Sequence, residues 1–232
     1  QILTIMKVKT YFAAALMAAF MLPQVSYSSN MQENAKSKEE KMQWWKDAKF
    51  GMFIHWGIYS VPAGKWCGRT SYGEWIMHQA SLSRDTYSGF ADKFNPKDFN
   101  AEEWVKLAKE AGQKYIVITS KHHDGFAMFK SEASKYNVVD ATPFKRDVIE
   151  ELASACRKHG MKLGLYYSQA QDWYHPGGAR HGGKLWDNGQ KGDMMEYIKK
   201  NRFASGQGDS FKIRRHRGSL VGHPDRYDSG NV

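Results

Sequence analysis

The stretch "NAEEWVKLAKEAGQKYIVITSKHHDG" (residues 100–125) decides the fold, because a helix pattern in it leads directly into a buried strand. The first part predicts an amphipathic helix that starts after the N-cap residue Asn100 and ends near Gly112. The next part, "YIVITS" (115–120), is short and continuously apolar, which is typical of a strand buried on both faces. The apolar stripe predicted for the helix consists of Trp104, Leu107, Ala108 and Ala111.

The same alternation of strand and helix is found on both sides of this stretch. "FGMFIHWG" (50–57) and "KLGLYYS" (162–168) have the pattern of buried strands. "RDVIEELASACRKHGM" (146–161) and "DNGQKGDMMEYIKK" (187–200) have the pattern of helices. The apolar face of the former helix consists of Val148, Leu152, Ala155 and Cys156. Such alternation predicts βαβ units and a parallel sheet in an α/β protein. No Gly-rich phosphate turn follows the first strand, so a dinucleotide-binding fold is unsupported.

The composition is that of a globular protein with a basic surface. Of the 232 residues, 41% are hydrophobic and 14% aromatic, and the formal net charge is +10. Such a charge could indicate nucleic-acid binding. However, the basic residues are scattered over helical faces and no nucleic-acid-binding motif accompanies them. We therefore expect no nucleic-acid partner.

The N-terminal residues have the pattern of an export signal. Residues 6–29 combine a charged start, an apolar stretch and small residues, which predicts a signal peptide. Residues 1–5 are then translated upstream of the true start, and residues 30–40 form a linker. We expect an exported protein, periplasmic, cell-surface or secreted, with no membrane span after signal removal. Export would permit a disulfide between Cys67 and Cys156, although the helical stripe favours a buried free thiol at Cys156.

Polar and aromatic residues collect where each predicted strand ends. Because the carboxyl ends of parallel strands meet at one face of a barrel, we expect these side chains to form a site there. The long aromatic segment between Gly57 and Asn100 has the pattern of a functional loop at the same rim. The strand-end residues are His55, Trp56, His122, His123, Asp124, Tyr166, Tyr167, Ser168, Asp172 and Trp173.

Two kinds of ligand match this set of side chains. Imidazoles, a carboxylate and tyrosine hydroxyls form directed hydrogen bonds, while indoles stack on C–H faces, which suits a sugar with several hydroxyls. The alternative is a metal, because His122, His123 and Asp124 are of the types that bind zinc. Adjacent histidines usually point apart, and no His-x-His or His-x-x-x-His pair supports a metal. The pattern therefore favours the sugar.

Four motifs resemble one known family, in the family's order. "KFGMFIHWGIYSVPAGKW", "SYGEWIMH", "SKHHDGFAMFKS" and "KLGLYYS" are similar to the N-terminal catalytic half of the α-L-fucosidases of glycoside hydrolase family 29. The resemblance covers residues 41–200, roughly, and implies an α/β fold of the (β/α)8-like TIM barrel type with only the N-terminal half present. It further implies removal of terminal α-L-fucose from glycans with retention, fucosylated glycans as partners, and neither a metal nor an organic cofactor.

The resemblance also implies which residues bind the sugar. Tyr166 is preferred to Tyr167 for the pocket, and Glu74 could instead be a surface carboxylate, although the aromatic setting of "YGEWIMH" favours the pocket. The implied substrate-binding residues are His55, Glu74, Trp75, His122, His123 and Tyr166.

The family's catalytic carboxylates are not found in the matching motifs. Retaining hydrolysis uses a nucleophile and an acid/base, and the family's nucleophilic Asp follows a "W-x-D" or "WWD" pattern at the end of the next strand. In this chain, residues 201–232 instead become basic and Gly-rich with no apolar period. With codons chosen freely within the genetic code, residues 220–228 read one base later can encode Trp-Trp-Asp-Thr-Pro-Thr-Asp-Met. We therefore expect residues 201–232 to be a frameshift product, the alternative being a disordered basic tail.

Without the nucleophile, we expect the chain as written to be inactive and of low stability, because half a barrel has open sheet edges. A non-catalytic fucose-binding fragment is the alternative function, and a zinc hydrolase is a further one. The fucosyl linkage, the identity of the acid/base and the oligomeric state stay open.

Overall fold

The computed structural model describes residues 39–40 and 42–199, apart from the side chain of residue 181. The chain divides into two units, residues 1–49 and 50–232, which are described separately. Within the first unit, residues 42–48 are helical. The second unit contains the sheet and the rim residues. No helix within these described ranges is long and apolar enough to cross a membrane.

Three parallel strands form the described sheet: β1 (Gly51–Ile54), β2 (Tyr115–Lys121) and β3 (Lys162–Tyr167). Their order is β1-β2-β3, with Tyr115 of β2 aligned with Gly51 on one side and Lys162 on the other. The register between β2 and β3 shifts between Thr119 and Lys121, where β2 ends. The predicted parallel sheet is therefore confirmed, and each strand lies within its predicted segment to within a residue.

Besides the helical residues 194–199 at the edge of the described range, five α-helices connect or flank these strands: α1 (Ile76–Gln79), α2 (Arg84–Ser88), α3 (Ala101–Glu110), α4 (Val138–Ala141) and α5 (Val148–His159). The first two lie in the long segment between β1 and α3. Short 3-10 turns occupy Ile58–Ser60, Gly73–Trp75, Ala91–Lys93, His181–Gly183 and Asn188–Gln190. The predicted loop after β1 is thus built from short helical pieces.

The helix α3 begins where its N-cap predicts, but it buries a different face. The Asn100 side chain accepts hydrogen bonds from the backbone N–H groups of Glu102 and Glu103, and Gly112 takes a positive φ of 81° just beyond the helix. The predicted stripe is wrong at Leu107, which is 63% exposed, and at Ala111, also exposed. The buried residues are Ala101, Val105 and Ala108. The helix is rotated from the predicted orientation because its packing against α5 and the sheet, rather than the widest apolar stripe, sets the buried side.

The helix α5 matches its prediction. Asp147 caps its first turn, and Gly160 ends it in the left-handed conformation with φ of 67°. The four predicted stripe residues are all buried. Both Cys67 and Cys156 are free thiols, the first exposed and the second buried, so the alternative of a disulfide between them is wrong.

The helix predicted from residue 187 begins later than expected. Asp187 caps a 3-10 turn at Asn188–Gln190, and residues 194–199 are helical. Asp193 accepts a hydrogen bond from the backbone N–H of Glu196, which is the contact of an N-cap. The Asp–Asn–Gly sequence favours a local turn over a helix, because an Asp side chain readily bonds to the backbone two residues on. Residues 201–232, predicted to be a frameshift product, lie outside the described residues, and so do residues 1–38 with the predicted signal peptide.

The core fills the space between the sheet and the covering helices. Ile116 and Ile118 of β2 pack with Val105 of α3 and Leu152 of α5, and all four are fully buried. The cluster continues without a break through the segment between β1 and α3 to Trp173, beyond β3. This continuous packing fixes the carboxyl ends of the strands relative to one another.

Candidate active site

The six residues implied to bind sugar lie at one end of the sheet. His55 directly follows β1, and His122 and His123 directly follow β2. Tyr166 is the second-last residue of β3. Glu74 and Trp75 belong to the 3-10 turn Gly73–Trp75 in the segment after β1. We call these residues the rim cluster: His55, Glu74, Trp75, His122, His123 and Tyr166.

Three members of the rim cluster bring donor or acceptor atoms especially close together. One side-chain nitrogen or oxygen from each of His55, Glu74 and His122 lies within 4.8 Å of the others. His55 is exposed, Glu74 is partly buried and His122 is buried. We call these residues the three-donor cluster. Side chains 19 and 67 positions apart in sequence thus converge on a space of a few ångströms, open to solvent on the His55 side.

Aromatic rings form the wall beside these donors. The His122 ring centroid lies 5.6 Å from that of His55 and 4.4 Å from that of His123, and it stacks on Tyr166 at 5.8 Å. The Trp75 ring meets His123 edge-on, with 5.3 Å between centroids. The rim cluster is therefore one contiguous set of rings with polar edges, which is the surface composition that suits a sugar ring.

His122 is held as a neutral imidazole. It is only 4% exposed, and burial, with smaller contributions from His123 and His55, lowers the pKa of His122 to about 3. At neutral pH the ring therefore has one N–H donor and one unprotonated nitrogen. The buried Nδ1 atom has no hydrogen-bond partner among the described residues. A buried polar atom without a partner normally costs about 1–3 kcal/mol.

A hydrogen-bond chain fixes the tautomer of His123. The hydroxyl of Ser168 donates to the backbone carbonyl of Gln171 over 2.7 Å, so its only proton is committed there. The Nδ1 atom of His123, 2.6 Å from the same hydroxyl oxygen, must then be the donor of that contact. Ser168 thus orients the His123 ring within the rim cluster.

Thr119 holds the turn that carries His55. Its hydroxyl accepts from the backbone N–H of Trp56 and donates to the carbonyl of the same residue, both over 3.0 Å. The hydroxyl of Tyr59 lies 3.2 Å from the same atom, and the Tyr59 ring lies beside His122 at 5.7 Å. Neither Thr119 nor Tyr59 was among the predicted site residues. A Thr inside an apolar strand gives no such signal, because its partners are 60 or more residues away in sequence.

A buried ion pair lies on the other side of the sheet end. The ammonium group of Lys121 is 2.9 Å from the Asp172 carboxylate and 3.3 Å from the Tyr197 hydroxyl. Burial alone would raise the pKa of Asp172, but the charge and hydrogen bond of Lys121 hold it below its ordinary value. The ring of Tyr167 lies 5.0 Å from the same ammonium. The structure thus places Tyr167 with Lys121 and Tyr166 with His122.

The carboxylate of Asp124 is also committed to structure. It accepts from the Tyr87 hydroxyl over 2.7 Å and from the backbone N–H of Phe126 over 3.2 Å. Burial raises the pKa of Asp124 to about 6, against the opposing effect of these hydrogen bonds. The metal alternative based on His122, His123 and Asp124 is therefore wrong in its ligands. Among the described residues, the group close enough to share an ion is instead the three-donor cluster.

A surface cavity of about 580 Å³ lies away from the rim, at the start of α3. Four of its charged side chains are paired, Arg146 with Glu151 and Lys158 with Glu102. The second of these pairs joins α5 to α3, and we assign this cavity no ligand.

The fold and site define a parallel α/β protein with a cluster of imidazole, carboxylate and aromatic side chains at the carboxyl ends of its strands. The family model described as alpha-L-fucosidase matches residues 16–203. The chain belongs to the alpha-L-fucosidase family.

Curated and solved relatives show the same family over part of their length. Tissue alpha-L-fucosidase of Rattus norvegicus is 39% identical over 145 residues, which cover 58% of this chain and 30% of the rat protein. The human tissue enzyme is 40% identical over 142 residues. The chain thus spans less than a third of the length of these relatives. Unliganded alpha-L-fucosidase AlfC of Lactobacillus casei matches with a TM-score of 0.64 and 42% identity, over 73% of this chain and 59% of that one. The alpha-L-fucosidase of Vibrio sp. strain EJY3 matches with a TM-score of 0.65 and 37% identity. The match covers 74% of this chain and 31% of the Vibrio protein.

Proposed function

We propose that the rim cluster binds the terminal α-L-fucose of a fucosylated glycan, as part of an exo-acting α-L-fucosidase. The convergence of His55, Glu74 and His122 within 4.8 Å carries this proposal. These side chains bring a carboxylate, which accepts hydrogen bonds, and imidazole nitrogens, which can donate or accept them, into one small space. Adjacent hydroxyls of a sugar need donors and acceptors at this spacing.

The neighbouring side chains have matching roles. His123 adds a second imidazole beside His122, and the hydrogen bond between its Nδ1 atom and Ser168 holds the ring in place. The indole of Trp75 and the ring of Tyr166 supply apolar faces for the C–H side of the sugar. The similarity to AlfC of Lactobacillus casei supports the choice of sugar, because that enzyme was solved with its α-L-fucose product and with Fucα(1,6)GlcNAc.

The three strands are then the first part of a (β/α)8-like barrel, and the whole protein is a retaining hydrolase. Retaining chemistry needs two carboxyl groups about 5–5.5 Å apart. Asp124 is bonded to Tyr87 and Asp172 to Lys121, so neither is available as the nucleophile. Glu74 belongs to the three-donor cluster. We therefore place the nucleophile and the acid/base outside the described residues.

The two ends of the chain, residues 201–232 and residues 6–29, have separate origins. Residues from about Asn201 onward are a frameshift product that hides the nucleophile motif, and the family match, which ends at residue 203, supports this. The chain as written then binds fucose without hydrolysing fucosides. Residues 6–29 direct export. The family match begins at residue 16 and so overlaps the predicted signal peptide.

The test measures binding and turnover on the same sample. We expect L-fucose to bind the 232-residue chain and 4-nitrophenyl α-L-fucoside to be left intact. Hydrolysis of the aryl fucoside would show that the 232-residue chain contains a working nucleophile and would contradict its proposed inactivity. Absence of L-fucose binding by a folded chain would contradict the sugar site itself.

A further inference from the structure

We propose that the three-donor cluster is also a binding site for a divalent transition-metal ion of the zinc type, and that this ion and fucose exclude one another. The second half of this inference rests on the proposed function. The first half depends only on the positions and chemistry of His55, Glu74 and His122.

The ligand types and distances suit zinc. Bonds from zinc to nitrogen or oxygen are about 2.0–2.2 Å long, so two ligands of one tetrahedral ion lie about 3.4 Å apart. The three donor atoms already lie within 4.8 Å of one another. The set therefore has to contract by about 1 Å or slightly more to coordinate one ion.

The three side chains differ in freedom in a way that permits this contraction. His122 is buried between the rings of Tyr59, His123 and Tyr166 and acts as the fixed ligand. His55 is exposed and Glu74 is partly buried, so both can move by rotation about side-chain bonds. The exposed side of His55 leaves a fourth position for water, as in an open zinc site.

A second observation concerns the buried nitrogen of His122. His122 is only 4% exposed, and its Nδ1 has no hydrogen-bond partner among the described residues. A buried polar atom of this kind gains a partner when an ion, a water or a ligand binds to it. Two imidazoles and one carboxylate favour zinc or copper, whereas Mg²⁺ and Ca²⁺ prefer ligand sets made of oxygen.

Metal and sugar would compete because they use the same atoms. A zinc ion bound to the lone pairs of His55, Glu74 and His122 takes away the acceptors that sugar hydroxyls need. The ion is therefore an inhibitor of fucose binding. This differs from the zinc hydrolase considered from the sequence, in which chelators would remove activity.

The experiment is zinc titration of the 232-residue chain, followed by calorimetry and by thermal unfolding. We expect one zinc ion to bind, and at about one hundred times Kd the unfolding midpoint should rise by about 5–10 °C. MgCl2 at the same concentration should have no effect. L-fucose at about ten times its Kd should raise the apparent Kd for zinc about tenfold, by competition.

Matched variants separate this site from other zinc-binding groups. His122→Gln and Glu74→Gln should each lower zinc affinity at least tenfold, since metal sites lose about that much on loss of a ligand or its support. His159→Gln on α5 and Glu103→Gln on α3 should leave it unchanged. If the variant His122→Gln does not fold, Glu74→Gln and His55→Gln, which change less buried side chains, provide the same comparison.

Each outcome has a defined meaning. Zinc binding that survives the three substitutions, or that Mg²⁺ matches, overturns the metal site, as does a chain that zinc neither binds nor stabilises. Fucose binding without zinc binding overturns this inference and leaves the proposed function intact. Zinc binding without fucose binding overturns the proposed function and mutual exclusion, and leaves the metal site intact.

Discussion

Tyr166 and Tyr167 are neighbours in β3, but they lie in different chemical surroundings. Successive side chains of a strand point to opposite faces of the sheet. Tyr166 stacks on His122 in the rim cluster, whereas Tyr167 lies over the ammonium of Lys121. The alternation of one strand therefore separates a residue that contacts the sugar site from one that belongs to the structural ion pair.

This separation predicts that substitutions at the two tyrosines affect the Kd for L-fucose differently. Tyr166→Ala removes the ring that packs on His122 and should raise the Kd for L-fucose about two- to thirteenfold, since an aromatic contact contributes about 0.5–1.5 kcal/mol. Tyr167→Phe keeps the ring over Lys121 and should change that Kd by less than about twofold. Calorimetric titration with L-fucose measures both. Equal effects of the two substitutions would contradict the assignment of Tyr166 to the rim.

The two cysteines predict a second difference at the residue scale. Cys67 is exposed, while burial raises the pKa of Cys156 to about 12, so that almost no thiolate forms there at pH 8. Iodoacetamide should therefore modify Cys67 in the native chain and Cys156 only after urea unfolding. Peptide mass spectrometry measures the two sites separately. Comparable native rates, or two thiols lost to a disulfide, would contradict the structure.

At the scale of elements, the Lys121–Asp172 pair joins the end of β2 to the segment that follows β3. Gly125 permits this contact, because a Cβ atom there would lie 2.3 Å from the Asp172 carboxylate, and its φ is +80°. The backbone N–H of Trp173 donates to the carbonyl of His123 over 2.7 Å in the same region. The ion pair therefore helps to hold the segment against which the rim histidines lie.

Replacing one member of this ion pair should lower the free energy of unfolding more than replacing both members. Asp172→Asn leaves Lys121 charged and buried, which should lower the free energy of unfolding by about 3–5 kcal/mol. The double variant Lys121→Met/Asp172→Leu should recover most of that loss. Urea unfolding followed by tryptophan fluorescence measures both, and equal losses would contradict the account.

The same pair predicts a pH dependence with a definite sign. Because the folded-state pKa of Asp172 lies below the ordinary 3.8, its ionised form is stabilised by folding. This contribution is fully present above the ordinary pKa and is lost as the pH falls through the folded-state value. The difference in stability between the parent chain and Asp172→Asn should therefore shrink below about pH 4.

How far the sequence predicts these elements depends on whether the signal is local. Asn100 predicts the start of α3 because an N-cap acts on backbone within three residues of it. The buried face of α3 was mispredicted at Leu107, because that face depends on how the helix packs against α5. The meeting of His55 with His122 follows from parallel strand ends. The contacts of Thr119 with Trp56 and of Ser168 with His123 depend on tertiary geometry and have no local signal.

At the scale of the whole molecule, the described residues contain the proposed sugar-binding rim but not the proposed nucleophile. The described sheet has three strands, and the proposed barrel has eight. A protein of this kind would have low stability, because the outer edges of β1 and β3 have no strand neighbour among the described residues. Ligands that bind only the folded form should then stabilise it measurably.

The proposed frameshift is tested by resequencing the gene from the codon of Asp187 to beyond that of Val232. We expect a single-base insertion or deletion near Lys200 that restores a Trp-Trp-Asp motif in the tail. Confirmation of the printed reading frame would contradict a sequencing error. The locus would then encode a chain without the nucleophile motif, whose function is either binding or none.

Thermal unfolding in the presence of L-fucose shows whether the rim cluster binds fucose. The account predicts that L-fucose, but not D-glucose, raises the unfolding midpoint of the 232-residue chain. Glu74→Gln should abolish the rise, while Glu103→Gln, on the exposed face of α3, should leave it intact. An equal rise with both sugars, or a rise that survives Glu74→Gln, would contradict the account.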